Sequence, residues 1–152
     1  MNLTDIRDIR ALQARHGFHF SKSMGQNFLI ADWVPRDIAD AAELDENCAV
    51  LEIGPGIGSL THQLARQAGR VATIELDTSL LPILRETLGD CSNVEIIPGY
   101  VMKLDLSAIL SEKFSGFTIN ACANLPYNIT TPVLTRLLET GCFQSITVMI
   151  QK

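Results

Sequence analysis

Hydrophobic positions along the chain follow two different periods. Near the start they recur at helical spacing: Ile6, Ile9 and Leu12 predict a helix over 5–16, with Thr4 placed to cap it and Gly17 to end it. A polar stretch follows over 19–26. A second helix is expected over 34–44, with Asp32 before it and Pro35 in its first turn. From residue 49 onward, short apolar runs alternate with helical segments. Strands are expected over 49–53, 71–75, 94–97, 117–123 and 145–150. Between them lie helices over 60–68, 77–88 (with Pro82 inside), 107–113, and from Thr131-Pro132 to Gly141. Strands that alternate with helices build βαβ units, and right-handed crossovers then give a doubly wound α/β fold around a parallel sheet.

The last run, Ile146 to Ile150, is apolar on both faces. That suits an interior strand with a neighbour on each side. Only Gln151 and Lys152 follow, so the sequence is expected to be part of a longer protein.

Composition narrows the class. With 152 residues, 47% hydrophobic and 19% charged, the chain matches one globular domain and is too apolar for disorder. No apolar run approaches the roughly 20 residues of a membrane span. Met1 to Arg10 carries four charges and no apolar core, unlike a signal peptide, so a cytoplasmic location is expected. The net charge of −5 does not suit a nucleic-acid-binding domain taken whole. The charge is uneven, however: Arg7, Arg10, Arg15 and Lys22 outnumber Asp5 and Asp8 at the start. Cys48, Cys91, Cys122 and Cys142 form no C-x-x-C pair and no Cys/His pair at zinc spacing, so no metal is expected. Buried free thiols are the default reading, with Cys122 and Cys142 in apolar surroundings.

Candidate chemistry gathers at the strand ends. Gly54, Gly56 and Gly58 lie between the first strand and its helix, where backbone without Cβ atoms can turn sharply and approach a ligand. The spacing departs from the dinucleotide fingerprint, whose third glycine would fall at Ser59. Glu75 ends the second strand, where a carboxylate can accept from both hydroxyls of a ribose. Glu52 would repel a pyrophosphate and better suits a cationic cofactor such as S-adenosyl-L-methionine; capping of nearby backbone amides is the alternative. Asn124-Leu-Pro-Tyr127 follows the fourth strand. Asn124 and the Pro126 carbonyl are suited to accept from one exocyclic amine, and Tyr127 to stack on its base.

These motifs, together with Gly25-Gln-Asn-Phe-Leu29, Ile74-Glu-Leu-Asp77 and Asn124-Leu-Pro-Tyr-Asn-Ile-Thr130, occur in the order seen in the small-subunit rRNA adenine N6,N6-dimethyltransferases. The resemblance runs from about Phe18 to Lys152. The related erythromycin-resistance methylases usually carry Ile where Leu125 stands. The resemblance implies a Rossmann-like class I methyltransferase fold with a mostly parallel sheet. Residues 1–30 would be an N-terminal helix and cofactor-contacting loop, and 31–152 a partial methyltransferase domain. The last strands and a helical RNA-binding domain would be absent. It implies that Asn27 and Leu29 contact S-adenosyl-L-methionine, that Gly54 and Gly56 line its methionine end, and that Glu75 holds its ribose. Asn124, Pro126 and Tyr127 would hold the target adenine, with Asn124 also against the cofactor. The implied partner is small-subunit rRNA in the immature 30S subunit, bound by a monomer.

One position departs from this pattern. Tyr100 stands where the family has an Asp that accepts from the cofactor's adenine amine. Loss of a hydrogen bond to a charged acceptor costs about 1.5–3 kcal/mol. Weakened cofactor binding is therefore expected, and a fragment inactive alone. The alternative is a non-catalytic RNA- or ribosome-binding module. A nicotinamide-dependent oxidoreductase is disfavoured by Ser59, Glu52 and the Asn-Leu-Pro-Tyr segment.

Overall fold

The computed structural model describes residues 2, 3, 5–17 and 33–151. Its elements run α1 (Ile6–His16), α2 (Trp33–Ala41), β1 (Cys48–Ile53), α3 (Ser59–Gln67), β2 (Arg70–Glu75), a 3-10 turn (Thr78–Leu80), α4 (Leu81–Thr87), β3 (Val94–Pro98), α5 (Leu106–Lys113), β4 (Thr118–Pro126), α6 (Tyr127–Thr140) and β5 (Ser145–Gln151). All five strands are parallel, in the order β3-β2-β1-β4-β5. The order reverses between β1 and β4, and open sheets of this kind bind ligands at the carboxyl ends beside that switch point.

Strand β1 is buried along its whole length, as a central parallel strand should be. Its side chains alternate between two cores. Ala49, Leu51 and Ile53 join Leu106, Leu110 and Phe114 of α5 and Val133 and Leu137 of α6 on one face. Val50 joins Val34 and Ile38 of α2 and Leu60 and Leu64 of α3 on the other. A third cluster sets Ile9 and Leu12 of α1 against Ile57 of the glycine loop, Leu80 of the 3-10 turn and Ile83 of α4. Arg15 and His16 then bind the Glu86 carboxylate, which fastens the end of α1 to α4. No described helix is long and apolar enough to cross a membrane.

Several local expectations need correction. Asp5 caps α1 by accepting from the Arg7 N–H at 2.8 Å, so the cap does not need Thr4, which lies outside the described residues, as does Asp32. Gly17 ends α1 in the left-handed conformation, as expected. Pro82 is accommodated because a 3-10 turn capped by Asp77 precedes α4, placing the proline in the first turn of α4, where no N–H is needed. Strand β4 extends to Pro126, and α6 begins at Tyr127, ahead of Thr131-Pro132; Pro132 lies inside that helix. Strand β5 pairs with β4 alone among the described strands, with Ile146, Val148 and Met149 half-buried, as for a strand expected to have a further neighbour outside this sequence.

Candidate functional site at the carboxyl edge of the sheet

Parallel pairing fixes which side chains meet. Ile53 lies opposite Ile74 on β2 and Ala123 on β4, so Gly54, Glu75 and Asn124 are the next residues on three adjacent strands. The Gly54 N–H donates to the Ile74 carbonyl at 3.0 Å, and the Gly99 N–H to the Glu75 carbonyl at 3.0 Å. Tyr100 follows Gly99 and is half-exposed at the end of β3. The predicted Gly54, Gly56, Glu75, Tyr100 and Asn124 therefore share one rim. Pro126 ends β4 and Tyr127 opens α6. Asn27 and Leu29 lie outside the described residues.

The glycine loop has the conformation its sequence calls for. Gly54, Gly56 and Gly58 all have positive φ (73°, 59° and 98°), and a Cβ on Gly54 would meet nothing within 4 Å. The loop thus leaves open space at the head of β1. Glu75 is 7% exposed and accepts from the Asp77 N–H at 2.9 Å, with the amides of Gly56 and Leu76 also facing its carboxylate. Burial raises its pKa while these N–H groups oppose the rise.

Glu52 is placed differently from expectation. It is 1% exposed and lies under α3, on the sheet face that carries Val50. One carboxylate oxygen accepts from the Thr61 and Thr73 hydroxyls, the latter at 2.9 Å. The other has no hydrogen-bond partner among the described residues. Burial pushes its pKa up to about 7, against the two hydroxyls. Its hydrogen bonds are therefore to side-chain hydroxyls, not to the backbone amides expected of a cap.

The rim can be tested against a nucleoside cofactor. Residues 53–58, 75–77, 98–101 and 123–125 contain Glu75 and Asp77 but no lysine or arginine. A pyrophosphate would find no side-chain cation there, whereas a sulfonium and an ammonium find acidic company. A buried carboxylate at the end of β2 suits a pair of ribose hydroxyls. The donor set fits S-adenosyl-L-methionine.

Two further observations were not legible in the sequence. Cys142 is exposed, contrary to the expected burial, because it follows the Gly141 turn after α6, while Cys48 and Cys122 are buried as expected. His62, Asp90 and Cys91 come together through tertiary packing, each offering a donor atom within 4.8 Å of the others. Their sequence separation concealed this from any search for short metal-ligand spacings.

Comparison with known proteins agrees with the geometry. The family model for ribosomal RNA adenine dimethylase matches residues 17–152. Ribosomal RNA small subunit methyltransferase A of Clostridium perfringens (strain SM101 / Type A) is 47% identical over 155 residues, covering 100% of this chain and 53% of that protein. Among solved structures, the 23S rRNA methyltransferase ErmE matches with a TM-score of 0.71 and 30% identity, over 82% of this chain and 48% of its own. A dimethyladenosine transferase from Plasmodium falciparum matches at 0.64 and 28%, over 79% and 42%. The chain spans about half the length of the curated relatives it matches. Its α/β fold is that of class I rRNA methyltransferases, and by family model and sequence identity together the chain belongs to the ribosomal RNA adenine dimethylase family.

Proposed function

We propose that the protein transfers methyl groups from S-adenosyl-L-methionine to the N6 amines of adjacent adenosines in small-subunit rRNA, dimethylating each during ribosome biogenesis. The carrying observation is the convergence of Gly54, Gly56, Glu75 and Asn124 on one rim beside the switch between β1 and β4. When bound, the cofactor supplies an electrophilic methyl on a sulfonium. Asn27 and Leu29 contact it, Gly54 and Gly56 admit its methionine end, and Glu75 accepts from its ribose hydroxyls. Asn124 and the Pro126 carbonyl accept from the target amine while Tyr127 stacks on the adenine. An adenine N6 lone pair is delocalised into the ring and is a poor nucleophile. Two acceptors on its hydrogens favour a pyramidal nitrogen and aim the lone pair at the methyl. The proton leaves after transfer, so no strong base is required. The partner is the immature 30S subunit, met by a monomer. The chain spans about half the length of its curated relatives, and by itself it is expected to transfer no methyl group.

The test is calorimetric titration with S-adenosyl-L-methionine and with NAD, paired with transfer of labelled methyl to small subunits lacking the modification. Heat with the first and none with the second is expected, with no label transferred by this chain alone. Binding of NAD in preference to S-adenosyl-L-methionine would overturn the reading, and label transfer by the isolated chain would overturn the claim of inactivity.

Tyr100 favours a second reading. A phenol lacks the charge with which a carboxylate would accept an adenine amine. Tyr100→Asp is expected to tighten cofactor binding by about 10-fold or more, given about 1.5–3 kcal/mol per such bond. Micromolar affinity unchanged by that substitution would remove the argument. At the relatives' full length, a protein that binds immature small subunits yet transfers no methyl even as Tyr100→Asp would be a non-catalytic ribosome-binding module.

A further inference from the structure

The loop that enters β3 carries a cluster the methyl-transfer site does not use. His62 is the fourth residue of α3, and Asp90 and Cys91 lie between α4 and β3. Together with Arg66 and Asn93 they line a cleft of about 260 Å³. The His62 Nε2 lies 2.5 Å from the Thr87 carbonyl oxygen. A carbonyl can only accept, so Nε2 carries the proton and donates it. The other nitrogen, Nδ1, then presents a lone pair, and it lies 3.6 Å from the Cys91 sulfur. That sulfur lies 3.6 Å from the Asp90 carboxylate. Both separations match the edge of a tetrahedron around a zinc ion, about 3.5 Å for bonds of roughly 2.0–2.3 Å.

We propose that His62 Nδ1, Cys91 Sγ and Asp90 Oδ1 bind a divalent cation of the zinc class, with water as the fourth ligand. One imidazole, one thiolate and one carboxylate suit a borderline-soft ion and not magnesium or calcium. The Thr87 carbonyl fixes the imidazole tautomer from behind, the outer-shell arrangement that metal-binding histidines require. The loop backbone is held in place by the Asn93 amide, which donates to the Ala65 and Ala68 carbonyls at 2.9 and 3.1 Å; the exposed Asp90 side chain, whose Oδ1 lies 4.0 Å from His62 Nε2, adjusts to complete the site at Nδ1. Two anionic ligands neutralise the ion, so Arg66 on the cleft wall faces no net positive charge. The site joins the first half of α3 to the α4–β3 loop, away from the strand ends that form the rim. Its role is to clasp these elements, independently of the methylation reading.

Cobalt(II) is the probe, added to the reduced 152-residue chain. One equivalent is expected to give a thiolate-to-cobalt charge-transfer band with tetrahedral ligand-field bands, all displaced by zinc. Zinc is also expected to raise the melting temperature. Cys91→Ser should abolish the charge-transfer band. Asp90 has a 79% exposed side chain, so Asp90→Asn leaves the core intact and should weaken binding at least about 10-fold. Absence of the charge-transfer band in the unaltered chain would overturn the site. So would its persistence in Cys91→Ser with loss in Cys142→Ser, since Cys142 is the exposed thiol elsewhere.

Discussion

Glu52 and Glu75 are the same residue on the same face of adjacent strands, yet they do different things. Glu52 lies opposite Thr73, and Glu75 comes two residues after Thr73 along β2. That short step along the strand exchanges one environment for another. Glu52 is roofed by α3 and met by hydroxyls, Thr61 and Thr73, within a packed core. Glu75 has passed the last ladder partner of β1 and meets backbone N–H groups of the turns that follow. Burial raises both pKa values; the charge of Glu75 adds to the rise at Glu52, and that of Asp77 to the rise at Glu75. Position relative to the end of the strand, not residue type, separates a carboxylate that belongs to the core from one placed at the rim.

The largest effect should come from separating the two by ligand binding. Glu75→Ala removes the acceptor proposed for the ribose hydroxyls and is expected to weaken S-adenosyl-L-methionine binding about 100-fold, some 3 kcal/mol for hydrogen bonds to a charged group. Glu52→Gln keeps the shape of a neutral carboxyl and should leave that affinity within about 3-fold, since the side chain is buried against Thr61 and Thr73. Calorimetry on both variants checks this, and equal losses would erase the distinction.

The second effect concerns stability and pH. Between the ordinary carboxyl value of 4.5 and about 7, folded Glu52 retains a proton that the unfolded chain has released. The folded state then binds more protons, so stability falls as pH rises across that window and levels off above it. Glu52→Gln removes this penalty and should stabilise the protein at pH 8 by about 3 kcal/mol, with little change at pH 4.5. Urea unfolding at the two pH values measures it. A variant less stable at pH 8 would show that the ionised carboxylate has a cationic partner.

How much of this was legible in the sequence differs between the same two places. The rim was readable because its determinants are local: an apolar run, three glycines, then a helix, with Glu75 and Asn124 at the ends of two further runs. Parallel pairing does the rest, since it brings the carboxyl ends of those runs together. The partners of Glu52 were not readable, because Thr61 and Thr73 lie 9 and 21 residues away and come to it only when α3 packs on the sheet. The beginning of α6 was misplaced for a related reason. Thr131-Pro132 resembles a helix opening, but the preceding residues 127–130 already form the first turn, and Pro132 removes one N–H inside the helix without breaking it. His62 and Cys91 lie 29 residues apart and meet across two elements, beyond any short-spacing rule.

The smallest effect should come from Thr73→Val, which trims one hydroxyl and leaves shape and burial nearly unchanged. That hydroxyl holds the Glu52 pKa down, so its loss raises the pKa further above about 7. Below the ordinary carboxyl value the Glu52 group is neutral in both states, and the cost is one buried hydrogen bond, about 1 kcal/mol. Above pH 7 the cost grows, because the ionised carboxylate has lost one of two donors. Unaltered protein levels off there; Thr73→Val should keep losing stability with rising pH until the shifted pKa is passed. Urea midpoints taken from pH 5 to pH 9 would show the displaced plateau. A plateau at the same pH in both proteins would mean that Thr73 contributes packing alone, leaving Thr61 to hold the core carboxylate.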